Sequence, residues 1–261
     1  PLAIEKLIAR AINEDFYTEV DLIFQNEQWH CFEAHSSASY TQKDDVLSAL
    51  NKKLKELREY LLSASHVFFT YGTAWVYRDI ETDSIVANCH KIPQKKFLKE
   101  LLSVEEIAAS IENTVTLIKD INPQLICVHT ISPVRHLKDG FIENTRSKSH
   151  LITAIHQAVN ENNQSYYFPS YEIMMDELRD YRFYAEDMIH PNNTAINYIW
   201  EKFIDTWFSE ETISTMKEID EIQKGVLHRP FHEDSEPHQQ FLLKLEQKKS
   251  SLQERLPFIN F

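Results

Sequence analysis

The chain of 261 residues contains only three glycines, Gly72, Gly140 and Gly225. That scarcity excludes the glycine-rich turns that cradle a dinucleotide or a nucleotide phosphate, since both need several glycines within one short stretch. Cysteine is also rare. Cys31, Cys89 and Cys127 are odd in number and lack paired short spacing, which argues against a disulfide framework and for the reduced thiols of a cytoplasm. No apolar run approaches the roughly 18 residues that cross a bilayer, and the N-terminus lacks the pattern of a signal peptide, so a cytoplasmic protein with no membrane partner is expected. Positive charge is in short supply as well: 27 Lys and Arg against 40 Asp and Glu leave a net charge of −13. Nucleic-acid binders gain affinity from clustered cations that release counterions, so no nucleic-acid partner is expected. What is present is an ordinary globular mixture, 43% hydrophobic and 26% charged, sufficient for a sizeable core.

Hydrophobic spacing organises that mixture. Ile4, Leu7, Ile8 and Ile12 predict a short opening helix, and residues 22–24 and 29–32 flank a polar turn as a hairpin. Val46, Leu47, Leu50, Leu54, Leu57 and Leu61 predict a helix over residues 43–62. The continuous apolar run at residues 66–70 reads as a strand covered on both faces of a parallel sheet, ending at Gly72. A second hairpin is expected at residues 75–77 and 84–87, then a helix over about 94–119. A buried strand follows at 125–130, a helix near 148–159 and a third core strand at 165–168. Strand, loop and helix in repetition predict an α/β fold with crossovers and a mostly parallel sheet. After His190 a helical stripe runs from Ala195 to Phe208, with Asn192 or Asn193 available as its cap. Residues 209–261 change to charged helical segments, so the expected division is a domain at 1–208 and a helical appendage at 209–261.

In such a sheet ligands bind beyond the carboxyl ends of the strands, which points to the loops beginning at Gly72, Ser132, Pro169 and Asp187. Asp187 and His190, three residues apart on a loop before a helix, have the types needed for a general base and the acid that orients it. The alternative is a surface loop with an acid near a helix N-terminus. Gly72 allows close backbone approach and Thr73 adds a hydroxyl, although a turn alone would also explain the glycine. Cys89 beside His90 is a rival nucleophile, but neighbours in an extended segment point to opposite sides, and a buried structural thiol is the commoner outcome. His228, His232 and His238 match no zinc spacing, so no metal and no cofactor is expected. The tyrosines at 166, 167, 171, 181 and 184 read as sheet-edge packing, and Glu172, Asp176, Glu177 and Asp180 as a solvated helix face.

Five strings then carry a resemblance: Gly72-Thr73-Ala74-Trp75-Val76-Tyr77, Asn88-Cys89-His90-Lys91 with Pro93, Ser132-Pro133-Val134-Arg135-His136, Phe168-Pro169-Ser170-Tyr171-Glu172, and Asp187-Met188-Ile189-His190-Pro191. Together, and in this order, the chain resembles the GSCFA domain family, itself similar to the SGNH (GDSL-like) hydrolases. The resemblance implies a flavodoxin-like three-layer α/β/α sandwich and a Ser-His-Asp hydrolase acting on a small-molecule or glycan ester. His190 and Asp187 take the base and acid positions. Gly72 and Thr73, with Trp75, His90, Ser132, Arg135 and His136, are the expected oxyanion or pocket residues. Where related hydrolases continue the Gly-Thr loop into an oxyanion-binding Asn, this sequence has Ala74. The eponymous Gly-Ser-Cys-Phe-Ala segment, which is expected to hold the nucleophilic serine, does not occur in the sequence. The expectation is therefore a chain that begins after its nucleophile. A non-catalytic binding module on the same fold is the alternative, and the C-terminal helices are a candidate oligomer surface.

Overall fold

The structure is a computed structural model that describes residues 1–232 and 234–261, in two compact units, Pro1–Ile199 and Trp200–Phe261.

The first unit opens with α1 (Leu2–Asn13), which buries Ile8 and Ala11. Strands β1 (Leu22–Gln25) and β2 (Gln28–Cys31) pair antiparallel around Asn26 and Glu27, both at positive φ (48° and 61°), the two-residue turn whose twist suits a hairpin. The Arg10 guanidinium ties α1 to this region through Glu33 (2.8 Å) and Asp21 (2.7 Å). Helix α2 (Lys43–Ser63) buries Val46, Leu50, Leu54 and Leu61 at helical spacing.

Strand β3 (His66–Tyr71) follows, then an antiparallel sheet of β4 (Trp75–Asp79), β5 (Ser84–Val86) and β6 (Phe97–Leu101) with β4 in the centre. Helix α3 (Val104–Ile121) leads to β7 (Ile126–Ile131), and α4 (Phe141–Ala158) leads to β8 (Ser165–Phe168). Strands β3, β7 and β8 run parallel in that order, with Tyr71 opposite Ile131 and Thr130 opposite Phe168. A short α5 (Ser170–Glu172) continues as a π-helical turn, Ile173–Leu178, and α6 (Asn193–Trp207) begins with Asn192 Oδ1 accepting the Ala195 N–H at 3.1 Å.

The core lies between helices and the parallel strands. Ile107, Ile111, Val115 and Ile118 of α3 and Leu151, Ala154 and Ile155 of α4 close on Phe69, Tyr71, Cys127 and Ile131. Full burial of a Leu or Ile contributes about 1.5–3 kcal/mol, so this cluster dominates the unit's stability. One polar chain crosses it. Tyr71 Oη of β3 bonds His129 Nδ1 of β7 (3.0 Å), and His129 Nε2 bonds Ser165 Oγ of β8 (3.1 Å), so a fully buried imidazole links all three parallel strands. Burial pushes the His129 imidazole down to about 4, which keeps it neutral.

Four expectations are corrected here. Among the described residues only three of eight strands are parallel, so the fold is mixed α/β with a small parallel sheet rather than a mostly parallel one. Strand β3 is not covered on both faces: it is an edge strand in which Phe69 and Tyr71 are buried while His66, Phe68 and Thr70 are exposed; β7, paired on both sides, has the double burial. The helix placed at 94–119 is a strand followed by a helix. Residues 97–101 pair with β4, and the helix starts at a capping box in which Ser103 Oγ accepts Glu106 N–H (3.1 Å) and Glu106 Oε2 accepts Ser103 N–H (2.8 Å). The helix expected near 148–159 begins seven residues earlier, after Gly140 at φ 95°, a conformation that favours glycine.

In the second unit α7 (Glu210–Val226) and α8 (Glu236–Arg255) bury Ile222, Leu245 and Leu252 against each other. Gly225 allows the close approach, since a Cβ there would lie 2.6 Å from Leu245 Cδ1. Among the described residues no helix is long and apolar enough to cross a membrane.

Candidate active site

The β3–β7 ladder runs out at the carboxyl edge of the parallel sheet, and the site is built where it does. Ser132 N–H donates to Tyr71 O (2.9 Å), and the next rung of the same pattern would set Thr73 N–H on Ser132 O. Lys148 of α4 takes that oxygen instead: its Nζ donates to Ser132 O (2.6 Å) and to Gly72 O (2.7 Å). The N–H groups of Gly72 and Thr73 are left without a hydrogen-bond partner among the described residues. Lys148 is 1% exposed and has no carboxylate partner there, so burial pushes its ammonium down to about 8. The Tyr171 ring, 5.5 Å from Nζ, adds a weak cation–π contact.

Two more residues of the first turns of α4 complete the frame. Ser147 Oγ bonds Thr73 Oγ1 (2.9 Å) and accepts the Ala74 N–H (2.7 Å), so the backbone donor of the fully buried Ala74 is already engaged. Asn144 Oδ1 accepts His136 N–H (2.8 Å). The His136 ring then lies over Gly72, where a Cβ would come within 3.1 Å of its Nε2. Burial holds His136 below the ordinary histidine range, and the charges of Lys148 and His190 push the same way against Asp139, so these groups share one electrostatic field.

The Asp187–His190 loop reaches this edge through the segment after β7, with Arg135 N–H donating to Ile189 O (3.3 Å). Asp187 Oδ2 lies 2.6 Å from His190 Nδ1, and Nε2 of the exposed ring has no partner among the described residues. An imidazole held at one nitrogen by a carboxylate and open at the other can take a proton from a hydroxyl.

Around this pair the placement of the remaining residues is uneven. Trp75 stays near the Gly72 loop, its N–H on Thr73 Oγ1 (3.1 Å), its indole N–H on Glu143 O (3.2 Å) and Lys99 Nζ 4.6 Å over its ring. Ser132 Oγ accepts Val134 N–H (3.2 Å), and Arg135 stacks on Tyr184 with 4.1 Å between guanidinium carbon and ring centroid. His90 is not brought to this group: it is buried with Nε2 2.7 Å from Cys31 O and its ring 4.6 Å from that of His30. Cys89 is half-buried, and burial raises its thiol pKa against the weaker pull of Lys138. Ser170 Oγ, at the turn after β8, donates to Ile131 O (2.7 Å). Among the described residues no serine hydroxyl bonds His190 and no group of three or more His, Cys, Asp or Glu is placed to hold a metal ion. Sequence reasoning missed Asn144, Ser147 and Lys148, which share one face of α4.

The GSCFA family model matches residues 1–203, and a second model, described as GSCFA domain protein, C-terminal domain, matches residues 219–261. No curated protein and no solved structure gives a match.

Proposed function

Because the chain belongs to the GSCFA family, we propose that it carries the base and orienting acid of a serine hydrolase that cleaves or transfers ester-linked acyl groups on a small molecule or glycan. The observation that carries the reading is the 2.6 Å contact of Asp187 with His190 Nδ1, with Nε2 left open at the carboxyl edge of the parallel sheet. The flavodoxin-like three-layer arrangement belongs to the same proposal and is supported by the parallel strands and their helical crossovers.

The chemistry follows from these groups. We assign the nucleophile to a serine hydroxyl brought within reach of His190 Nε2. His190 takes the hydroxyl proton as the serine oxygen bonds to the ester carbon, and Asp187 stabilises the resulting imidazolium. The free N–H groups of Gly72 and Thr73 are the donors for the oxyanion. On collapse the C–O bond to the alcohol breaks and His190 returns the proton to the leaving oxygen. Water, or a second alcohol in the case of transfer, then releases the acyl group by the reverse proton path.

A serine-reactive fluorophosphonate probe tests this on protein produced from its whole coding sequence. Labelling is expected, with His190→Ala slowing it about 10²-fold or more. Absence of labelling, or labelling indifferent to His190, refutes the reading. A binding module on the same fold is the second reading, favoured by Ala74 and by the engagement of its N–H with Ser147. It predicts ligand binding with no labelling at all.

A further inference from the structure

Next to the Asp187–His190 loop lies a cavity of about 120 Å³ walled by Arg135, Arg179, Asp180, Tyr181, Tyr184 and Met175. It is joined to that loop on two sides. Arg135 N–H bonds Ile189 O (3.3 Å), and Tyr184 bridges to Pro191 while its neighbour Ala185 donates to His190 O (2.8 Å).

The wall is cationic in a chain of net charge −13. The Arg135 guanidinium stacks 4.1 Å from the Tyr184 ring and 5.3 Å from the Tyr181 ring. Stacking fixes the plane of the fork, which also engages the Tyr184 hydroxyl, and its remaining N–H groups suit a planar anion. Neither Arg135 nor Arg179 has a carboxylate partner among the described residues, although acids outnumber bases in the sequence. The acid of the wall, Asp180, is already paired with Arg182 Nη2 at 3.1 Å. Arg179 also stands at φ 36°, a left-handed position that glycine fills without strain. Arg179, exposed at the C-cap of the π-helical turn, and Arg135 thus line one cavity as two guanidinium groups without a carboxylate partner among the described residues.

We propose that this cavity is an anion subsite that takes a carboxylate carried by the ester substrate, with Arg135 presenting a bidentate edge and Arg179 the second cation. The volume is that of about four water molecules, room for a carboxylate and its adjoining carbons. The identification of the ligand as substrate rests on the hydrolase reading; the binding of a carboxylate does not.

Arginine Nε–H and tyrosine ring signals, followed by NMR at low salt, provide the test, with D-glucuronate as probe and D-glucose as the neutral control. Saturable shifts at Arg135 and Tyr184 are expected with glucuronate alone, and Arg135→Gln or Arg179→Gly should weaken binding by at least about tenfold. Arg179→Gly should melt no lower than the parent, because φ 36° suits glycine, so its loss of binding cannot be ascribed to unfolding. Equal shifts with glucose, glucuronate shifts that survive both substitutions, absence of saturation, or tighter binding of inorganic phosphate than of glucuronate would each overturn the assignment. Fluorophosphonate labelling of the same samples separates the two proposals. Intact His190-dependent labelling without glucuronate binding overturns the subsite alone, and glucuronate binding without such labelling overturns the hydrolase alone.

Discussion

The Asp187 carboxylate holds His190 twice: Oδ2 is 2.6 Å from the ring Nδ1, and Oδ1 accepts the backbone N–H of His190 at 3.0 Å and of Ile189 at 2.9 Å. One side chain thus shapes the loop, with Met188 at φ 58° inside it, and aims the imidazole. The backbone N–H of His190, then its ring, then the N–H of Ile189 draw the Asp187 pKa down to about 2.

A charged acceptor at Nδ1 selects the tautomer. Neutral His190 is expected to carry its proton on Nδ1, leaving Nε2 as the base, and ¹⁵N NMR of the imidazole should show that form. Asp187→Asn keeps an oxygen for the two backbone donors but can turn an NH₂ toward Nδ1, which moves the ring proton to Nε2. The variant should fold with little change in melting temperature and lose about 10²- to 10⁴-fold in fluorophosphonate labelling rate. Retention of the Nδ1–H form in Asp187→Asn would show that the contact does not orient the ring.

Lys148 makes a second prediction, in the alkaline range. Its folded pKa of about 8 lies below the ordinary 10.5, so between these values the unfolded chain binds a proton that the folded chain has released. Stability therefore rises with pH across that window and is lost as pH falls back through it. Relative to Lys148→Met, the parent should gain on the order of 3 kcal/mol between pH 8 and 10.5 in urea unfolding. Taking the difference between parent and variant removes the other titrating groups. Parallel stability curves would mean that the ammonium is hydrated and the clamp on Gly72 and Ser132 is loose.

His129 has the same sign in the acid range. Its imidazole titrates near 4 in the fold against 6.5 when exposed, so protonation favours unfolding as pH falls through that interval. Compared with His129→Phe, the parent should lose about 3 kcal/mol more between pH 6.5 and pH 4. At pH 7 the order reverses in kind: the variant should be the less stable one, because Tyr71 Oη and Ser165 Oγ lose their buried partner. A variant as stable as the parent at pH 7 would show that the link across the three strands carries no weight.

What the sequence makes legible follows from local pattern. Apolar runs mark β3, β7 and β8, and the Asp-x-x-His spacing marks the loop, because those features are written in consecutive residues. Strand β6 is obscured because Phe97, Leu98 and Leu101 also satisfy helical spacing; pairing with β4 decides the conformation, and its paired residues, Asp79 with Phe97 through Trp75 with Leu101, are distant in sequence. The polar half of α4 did carry a signal. Asn144, Ser147, Lys148, Leu151, Ala154 and Ile155 form one helical stripe, buried throughout, whose first three members are polar because they face the exhausted end of the ladder rather than the core. Period judged by hydrophobicity alone misses it. His90 shows the opposite case: positive φ at His90 (47°) and Lys91 (59°) goes with an imidazole whose Nε2 lies 2.7 Å from Cys31 O of β2, a placement that no spacing reveals.

Gly72 and His136 allow the frame itself to be tested. A methyl at residue 72 would stand 3.1 Å from His136 Nε2, so the ring must give by a few tenths of an ångström. The backbone of Gly72 is not left-handed, and His136, although its ring rests on Gly72, is an exposed residue whose side chain can give way. Gly72→Ala should therefore cost less than about 1 kcal/mol, since restricting the unfolded chain offsets part of the contact. Displacing the ring carries it away from the burial, and from Lys148 and His190, that together hold its protonation down, so His136 should titrate at higher pH in the variant than in the parent. NMR titration of the His136 ring protons reads this directly. An unchanged midpoint would mean that the ring does not rest on Gly72, and a loss well above 3 kcal/mol would mean that something less yielding than an exposed imidazole covers the glycine.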